Sequence, residues 1–380
     1  RHIDELRALT PAWRELLARS AQNEHTLTPL WLTTWWDVFG PGRQLCTLAL
    51  HDGSRLVGLA PLLRRRFRPH PQLPASWRVE LLASGEDEAD ELCSPYLGLV
   101  AERGNEQAVA EATVAALTHG ELGSWDEICL TQLSLADPVL APLVNALRRR
   151  RVFPTVRRAR SSAYVDLPAS FDDYLARLSG SRRYFVRRTL RDFGKWAGPG
   201  WRLRVVTDPT ELESAQETLY ALHEERWQAD GESGVFRSDR FRGFHEHIMR
   251  AMLATPDGPD GRLELSLLER GDGTPLAALY NIVHAGSVFF HQAGRRVDTP
   301  KKVRLGIASH LVAIQRAIEQ GMRHYDFLAA RHRYKQQLAT DVRTQLTLSA
   351  VSPAWSAQLL DLTRKSLIFA GRRWRSWRQA

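Results

Sequence analysis

The chain has 380 residues, of which 43% are hydrophobic and 25% are charged, which indicates a globular protein and excludes an intrinsically disordered one. Its length exceeds what one ordinary hydrophobic core organises, so we expect domains at residues 1–160 and 161–352 and a tail at 353–380. No stretch approaches the roughly 18 consecutive apolar residues of a membrane-spanning helix. The start at Arg1 does not resemble a signal peptide, and a trimmed leader stays an open alternative.

The cysteine pattern predicts a reducing, cytoplasmic location and no metal site. Cys46, Cys93 and Cys129 are isolated, so neither a disulfide scaffold nor a cysteine-bound zinc is expected. His245 and His247 are two residues apart and would lie on different faces of a helix, which makes them a poor metal-binding pair.

The charge is strongly uneven. Lysine and arginine number 52 against 43 acidic residues, a formal net charge of +9. Basic residues concentrate in runs at positions 148–160, 182–195 and 364–378. Such runs favour polyanionic partners, namely the phosphates of coenzyme A, nucleotide-activated sugars, RNA or an anionic membrane surface. A solvated basic surface is the alternative for each run.

The first half of the sequence alternates helical and strand-like segments. Apolar spacing predicts a helix at 4–20 and an aromatic-rich helix at 30–39. Asp52-Gly53 lies between two apolar runs, a strong signal for a hairpin of strands 44–50 and 55–63. Further strands and helices follow up to residue 150, a mixture that predicts an α/β or α+β fold.

The second half begins, after a strand at 162–167, with two helices. The second of them, at 182–196, carries a stripe of arginines separate from its apolar face. A hairpin at 262–283 and a strand at 287–292 then lead into a basic loop and a helix at 306–320. Gly321 is placed to end that helix in a left-handed conformation, before a strand at 324–328.

The junction between the basic loop and its helix has the elements of a phosphate-binding site. Glycine allows close backbone approach, and the first N–H groups of a helix are unpaired at the positive end of its dipole. Basic side chains add charge-assisted contacts. The residues predicted to bind are Lys302, Arg304, Leu305, Gly306, Ile307 and Ala308. An ordinary basic loop before a core helix is the alternative.

Several motifs resemble the GNAT acetyltransferases, specifically the CelD/BcsL-type (cellulose biosynthesis) family and its FemX-like relatives. In the GNAT loop pattern Arg/Gln-x-x-Gly-x-Gly/Ala, Gly306 and Ala308 match, whereas Val303 replaces the first residue. The run from Gly321 through Tyr325-Asp326-Phe327 to Tyr334-Lys335 is similar to that family's signature. Segments at 31–36, 58–62, 222–227 and 275–278 extend the resemblance over residues 31–351.

The resemblance implies tandem GNAT-like domains, each a mixed sheet flanked by helices, with the active cleft in the second. The donor would be acetyl-CoA or another acyl-CoA, and the acceptor an amine or hydroxyl, for instance on a polysaccharide or cell-envelope precursor. Strands 287–292 and 324–328 would splay apart to admit the pantetheine arm, whose amides bind strand edges. Transfer through a ternary complex needs no enzyme nucleophile and no metal.

Four residues are candidates for catalysis. His291 would act as a base, since the ordinary histidine pKa is near 6.5, or would be a structural strand histidine. Asp326 would orient a partner or act as base, or form a structural ion pair. Tyr334 would protonate the leaving thiolate, and Lys335 would steady developing negative charge, as the resemblance implies for the matching lysine.

The acceptor side is predicted from a helix. His223, Arg226 and Trp227 share one helical face by their spacing, either as a wall of the acceptor pocket or as a core tryptophan beside a surface arginine. Tyr280, on the predicted hairpin, is included with them.

Two alternatives to acyl-CoA chemistry stay open. One is a FemX-like enzyme with aminoacyl-tRNA as donor, favoured by the basic runs and by Val303. The other is a non-catalytic GNAT-like binding module, for which Lys335→Ala would leave cellular function intact. The apolar and basic tail at 353–380 either lies on a membrane surface, which would make the protein peripheral to the inner membrane, or packs on the second domain.

Overall fold

The computed structural model of the protein describes residues 2–329 and 333–365. These residues form two compact units that are interleaved along the chain. The first unit contains the described residues up to Gly85, Ser94–Ala159, and the described residues from Gln345 onward. The second contains Glu86–Cys93 and the described residues from Arg160 to Thr344.

The helices of the described residues range from 6 to 18 residues in length. They are α1 (Ile3–Ala8), α2 (Thr10–Arg19), α3 (Pro29–Phe39), α4 (Glu106–Thr118), α5 (Leu140–Arg149), α6 (Phe171–Arg177), α7 (Gly180–Ala197), α8 (Leu212–Ala229), α9 (Asp239–Ala254), α10 (Leu305–Glu319) and α11 (Arg333–Leu338).

The strands lie between these helices. They are β1 (Arg43–Leu45), β2 (Leu48–Asp52), β3 (Arg55–Ala60), β4 (Leu62–Phe67), β5 (Ser76–Leu81), β6 (Val100–Ala101), β7 (Glu127–Ser134), β8 (Thr155–Asp166), β9 (Arg202–Val205), β10 (Arg262–Glu269), β11 (Pro275–His284), β12 (Ser287–Arg295), β13 (His324–Ala329) and β14 (Asp341–Val351).

The first unit contains a mixed sheet. Its strands follow the order β1-β4-β5-β7-β14, with β5 and β7 parallel and the other neighbours antiparallel. A three-stranded sheet, β2-β3-β6, carries the hairpin that Asp52-Gly53 predicts. Helix α3 begins where Thr28 accepts a hydrogen bond from the backbone N–H of Trp31, which satisfies one unpaired donor of its first turn.

The C-terminal segment at residues 355–365 is helical and belongs to the first unit. Arg364 is buried and donates to Glu127, to the Ser76 hydroxyl and to backbone carbonyls, which ties the segment to β5 and β7. The apolar side chains of Trp355, Leu359 and Leu362 are instead exposed. The described part of the tail therefore packs on the first unit. The rest of the predicted tail, residues 366–380, lies outside the described residues.

The second unit contains a mixed sheet in the order β8-β13-β12-β11-β10-β9, in which only β12 and β13 run parallel. Helices α6, α7 and α10 pack on one face with Leu279, Leu311 and Phe327 in the core. Helices α8 and α9 pack against β10, β11 and β12. Successive side chains of β11 point to opposite faces of the sheet. Leu279 therefore packs on the face covered by α6, α7 and α10, whereas Tyr280 contacts His245 of α9 on the other face.

The predicted fold class is confirmed, because each unit has a mixed sheet flanked by helices. Within the described parts of the chain, no helix is both long enough and apolar enough to cross a bilayer.

Candidate active site

The site is built where two parallel strands of the second unit move apart. Strands β12 and β13 pair only at their beginnings, from Ser287 opposite His324 to Phe289 opposite Asp326. Strand β12 continues to Arg295 and β13 to Ala329 without further pairing between them. Backbone groups of β12 beyond Phe289 that face the gap are no longer bonded to β13 and can pair with a ligand between the strands, whereas the Phe327 carbonyl and the Leu328 N–H of β13 bond to protein side chains.

A β-bulge in β12 accompanies this separation. In the ladder with β11, Tyr280 lies opposite Gln292 and Asn281 opposite Phe290, which leaves His291 as the extra residue. A bulge bends its strand and increases the local twist, and it is a common device beside active sites. Here the bulge falls immediately after the last residue that pairs with β13.

Strand β13 turns away at the corresponding level. Leu328 has a positive φ of 55°, which is uncommon for a residue other than glycine. Its N–H donates to Asp326 Oδ1 over 2.8 Å, and the register with β8 shifts between Asp326 and Ala329. The Asp326 carboxylate, fully buried and 3.7 Å from Arg343, therefore stabilises the bend that opens the strands.

Helix α10 starts at the opening between the strands. Arg304 precedes it in a left-handed conformation, and its carbonyl accepts from the N–H groups of Ile307 and Ala308. The N–H groups of Leu305 and Gly306 have no intrahelical acceptor, by their position in the first turn. They carry the positive end of the helix dipole, which suits an anionic ligand.

A cavity of about 670 Å³ connects these features. Its lining includes the parted segments of β12 and β13, the start of α10, the end of α8 and the residues of α11. The polar and aromatic residues of the described chain that line it are Cys93, Arg226, Trp227, Phe290, His291, Gln292, Arg295, Thr299, Lys301, Arg304, Ser309, His310, Phe327, Tyr334 and Lys335.

The lining is cationic. Five basic side chains contribute to it, and none of the described lining residues is aspartate or glutamate. Arg295, Lys301 and Arg304 lie at the helix start, whereas Arg226 stacks on Trp227 at 4.4 Å from the ring centre. Such a wall attracts a polyanion, because the side chains that line it carry a net positive charge.

Lys335 is buried at the inner end of the cavity. Its side chain is only 4% exposed, and its Nζ donates to the carbonyl of Phe327 over 2.6 Å, on the parted segment of β13. Burial lowers the pKa of the Lys335 ammonium to about 8. A cationic donor is thus held beside the gap between the two strands.

Tyr334 lies next to Lys335 and stacks on His310, with ring centres 5.4 Å apart. Its hydroxyl lies 3.4 Å from His310 Nε2, and His310 Nδ1 lies 3.0 Å from the hydroxyl of Tyr325. Burial raises the pKa of Tyr334 to about 12, so that its hydroxyl keeps its proton at neutral pH.

Two of the predicted catalytic residues have different surroundings from those expected. Burial lowers the pKa of His291 to about 3, so that its imidazole is a much weaker base than the ordinary value suggests. The ring lies against His245 and Tyr280 on the α9 side of the sheet. Asp326 lies outside the cavity lining and supports the bend of β13 instead.

The predicted acceptor residues divide in the same way. Arg226 and Trp227 line the cavity. His223 is buried, and its Nδ1 lies 2.9 Å from the carbonyl of Ala293, so that it supports β12 from behind. Tyr280 is fully buried and bonds to His245, 3.2 Å away. Arg226 and Trp227 on the predicted helical face thus reach the cavity, whereas His223, one helical turn earlier, does not.

Of the six residues predicted to bind phosphate, four line the cavity and two do not. Arg304, Leu305, Gly306 and Ile307 line the cavity, whereas Ala308 is buried in the core behind it. The Lys302 side chain is exposed and lies outside the lining. Val303 is fully buried, so that it holds the loop instead of contacting a ligand.

Several lining residues escaped the sequence prediction. His310 lies four residues after Gly306 on α10, and this spacing places both on one face of the helix; the signal was present. Lys301 lies in the basic loop whose lysines and Arg304 the sequence predicts to contact phosphate, whereas Arg295 ends β12 and reaches Gly306 at the start of α10, which no local pattern indicates. Cys93 comes from a distant segment, Glu86–Cys93, that is held to the second unit by pairs of Asp90 with Arg240 and of Glu91 with Arg160.

Comparison with known proteins identifies the fold of this site. Residues 180–336 match the family model of the acetyltransferase (GNAT) domain. A search of curated proteins gave no match. Among solved structures the chain is similar to the crystal structure of FemX, with a TM-score of 0.60 and 12% identity over 92% of this chain and 98% of that one. It is also similar to L-PGS from Bacillus licheniformis, with a TM-score of 0.51 and 12% identity over 93% and 96% of the two chains.

The second unit therefore has the fold of a GNAT-type acyltransferase domain, and the likeness to the two solved structures likewise concerns the fold. The narrower resemblance to the CelD/BcsL-type family stays a prediction. Among the residues that the structure describes, no cluster of histidine, cysteine or carboxylate side chains could hold a metal ion.

The buried ammonium of Lys335 leads to a prediction about stability. Its pKa is about 8 when folded and near 10.5 when unfolded, so that the unfolded chain binds more protons between these values and wild-type stability rises with pH there. In urea unfolding from pH 7 to pH 10.5, the free energy of unfolding of Lys335→Met minus that of wild type should therefore fall as pH rises. The exposed control Lys302→Met should show no such trend; a flat difference for Lys335→Met would contradict the buried ammonium.

Proposed function

We propose that the second unit transfers an acyl group from an acyl-CoA to an amine or hydroxyl acceptor. The observation that carries this proposal is the cavity in which parted strands β12 and β13 meet the start of α10. A thioester donor with a diphosphate needs both features, a slot for an amide-containing arm and an anion site at its outer end.

The donor would lie along the cavity from the helix start to Lys335. Its diphosphate would accept hydrogen bonds from the N–H groups of Leu305 and Gly306, with Arg295 and Arg304 adding charge. Its pantetheine arm would add strand-like hydrogen bonds to the parted segments of β12 and β13. The absence of carboxylates among the described lining residues supports such a polyanion.

The thioester carbonyl would then lie near Lys335 and Tyr334. When the acceptor attacks, negative charge develops on the carbonyl oxygen, and the buried Lys335 ammonium stabilises it more strongly than a solvated one would. Collapse of the tetrahedral intermediate breaks the carbon–sulfur bond, and Tyr334 gives its proton to the leaving sulfur. An amine that enters unprotonated needs no strong base before it attacks, which agrees with the low pKa of His291.

The acceptor side would be bounded by Arg226 and Trp227. An acceptor on a polysaccharide or cell-envelope precursor is supported by the resemblance to the CelD/BcsL-type family. Trp227 offers a face on which a sugar or another flat group can pack, and Arg226 offers a donor for its oxygens.

A second candidate donor is aminoacyl-tRNA, and the surface of α7 favours it. Tyr184, Arg187, Arg188, Arg191 and Lys195 are exposed at helical spacing on one face. Helix α7 also contacts the loop before α10, because the Arg304 guanidinium lies 5.1 Å from the ring centre of Phe185. A basic face beside the phosphate end of the cavity suits a longer polyanion. FemX and L-PGS share this fold.

Calorimetry with acetyl-CoA tests the donor site. Two variants in the loop before α10 each remove one positive charge. Arg304→Gln should raise the Kd of acetyl-CoA about 10-fold, close to the value of one charge-assisted hydrogen bond. Lys302→Gln should leave the Kd within about 2-fold, since its side chain lies outside the cavity lining. Equal weakening by both variants would indicate non-specific attraction, and failure of wild type to bind acetyl-CoA and longer acyl-CoAs would remove the proposal.

Binding of tRNA at several salt concentrations separates the two donors. If acyl-CoA is the donor, the double variant Arg187→Gln/Lys195→Gln should keep the wild-type affinity for acetyl-CoA, and tRNA should not compete with it. If aminoacyl-tRNA is the donor, tRNA should bind with a steep salt dependence, and the double variant should lower the slope of log K against log salt by about 2.

A further inference from the structure

The hydrogen-bonded row beneath the cavity contains three side chains from three elements. Tyr334 of α11 faces the cavity, His310 of α10 lies behind it, and Tyr325 of β13 lies deepest. The two links measure 3.4 Å from Tyr334 to Nε2 and 3.0 Å from Nδ1 to Tyr325. Phe290 and Phe327 also pack against the imidazole, at ring-centre distances of 4.5 and 5.3 Å. Both nitrogens are thereby directed at hydroxyl groups.

Three hydrogen atoms are available for the two hydrogen bonds that join Tyr334, His310 and Tyr325. The imidazole is neutral, because burial lowers the pKa of His310 to about 3, and the cations Lys335 and Arg226 act in the same direction. It therefore carries one N–H, and each tyrosine carries one O–H. Either Tyr325 donates to Nδ1 and Nε2–H donates to Tyr334, or Tyr334 donates to Nε2 and Nδ1–H donates to Tyr325.

The difference in burial between the two tyrosines decides between these arrangements. Tyr325 is fully buried, and burial raises the pKa of its phenol, whereas the amide of Asn281 acts to lower it, which marks that amide as a donor to the phenol oxygen. The Tyr325 O–H therefore still needs an acceptor, and lacking one costs about 1–3 kcal/mol. Donation to Nδ1, 3.0 Å away, satisfies it. Tyr334 instead faces the cavity, where a ligand or water accepts its proton. The favoured arrangement thus has the proton of His310 on Nε2.

We propose that His310, with its tautomer set by Tyr325, is the positioning residue that turns the proton of the Tyr334 hydroxyl toward the cavity. This inference rests on the proposed function, in which Tyr334 protonates the leaving thiolate. The O–H bond of Tyr334 breaks as the S–H bond forms, and the resulting phenolate accepts the Nε2–H hydrogen bond of His310. The proton released by the acceptor group then restores Tyr334 by way of the solvent.

A double-mutant cycle tests the role of Tyr325 in turnover. Tyr334→Phe should lower kcat about 100-fold, the lower range for loss of a general acid. Tyr325→Phe, which never touches the ligand, should lower kcat about 10-fold and leave the KM for acyl-CoA within about 2-fold. The double variant should be no slower than Tyr334→Phe, because Tyr325 acts through Tyr334. Additive losses, or full activity of Tyr325→Phe, would overturn the proposal.

Variants of His310 provide a second route if Tyr325→Phe does not fold. His310→Gln retains an N–H donor near the Nε2 position and should recover most of the activity that His310→Leu loses. Equal losses in the two variants, at equal affinity for coenzyme A, would mean that His310 only fills space.

The tautomer is measurable without turnover, which separates failure of this inference from failure of the proposed function. In ¹⁵N-histidine NMR, the signal absent from His310→Gln is assigned to His310. Wild type should show the proton on Nε2, and Tyr325→Phe should move population toward Nδ1. A wild-type proton on Nδ1 overturns the inference even if acyl transfer is found. The expected tautomer without acyl transfer leaves the geometry intact and overturns the catalytic role.

Discussion

The separation of β12 from β13 is the constraint on which the rest of the site depends. Two features on neighbouring strands produce it. One is the β-bulge at His291 in β12, and the other is the hydrogen bond from the Leu328 N–H to the Asp326 carboxylate in β13. Because each occurs one or two residues after the last paired position, the two strands diverge at the same level. If the ladder continued, its hydrogen bonds would close the slot, and the start of α10 would face a continuous sheet.

This separation also explains the electrostatics of the cavity. A slot between strands is narrow, so that side chains on its walls are largely removed from water and the charged forms of titratable groups are disfavoured. His291 and His310 consequently remain neutral, whereas Tyr334 retains its proton. Burial lowers the pKa of Lys335 as well, to about 8, and the nearby Cys93 and Asp326 side chains oppose this lowering. The same burial that weakens the imidazoles as bases strengthens the electrostatic field of the Lys335 ammonium.

The sequence predicts those features of the structure that depend on residues close together in the chain. The start of α10, its end at Gly321 and the hairpin at Asp52-Gly53 follow from local glycine geometry and apolar spacing, and all three occur. The predicted helix at 4–20 is instead two helices, since Pro11 lies at the beginning of the second.

Residues that act through distant contacts could not be predicted in this way. A helical face is wider than the surface that reaches a ligand, so Trp227 lines the cavity whereas His223, four residues earlier and 5.9 Å from it between ring centres, is buried against β12. Tyr280 and His291 are neighbours across a bulged ladder, and a one-residue shift in that ladder decides which side of the sheet they face. Cys93 reaches the cavity on a segment that ion pairs join to residues about 70 and 150 positions away in the chain.

A crystal structure of the protein grown with coenzyme A tests the account most directly. The account predicts density for the diphosphate within hydrogen-bond distance of the N–H groups of Leu305 and Gly306, and for the pantetheine arm between β12 and β13 with its sulfur near Tyr334 and Lys335. Density for coenzyme A elsewhere on the molecule, or a slot between the strands that stays empty at saturating ligand, would contradict it.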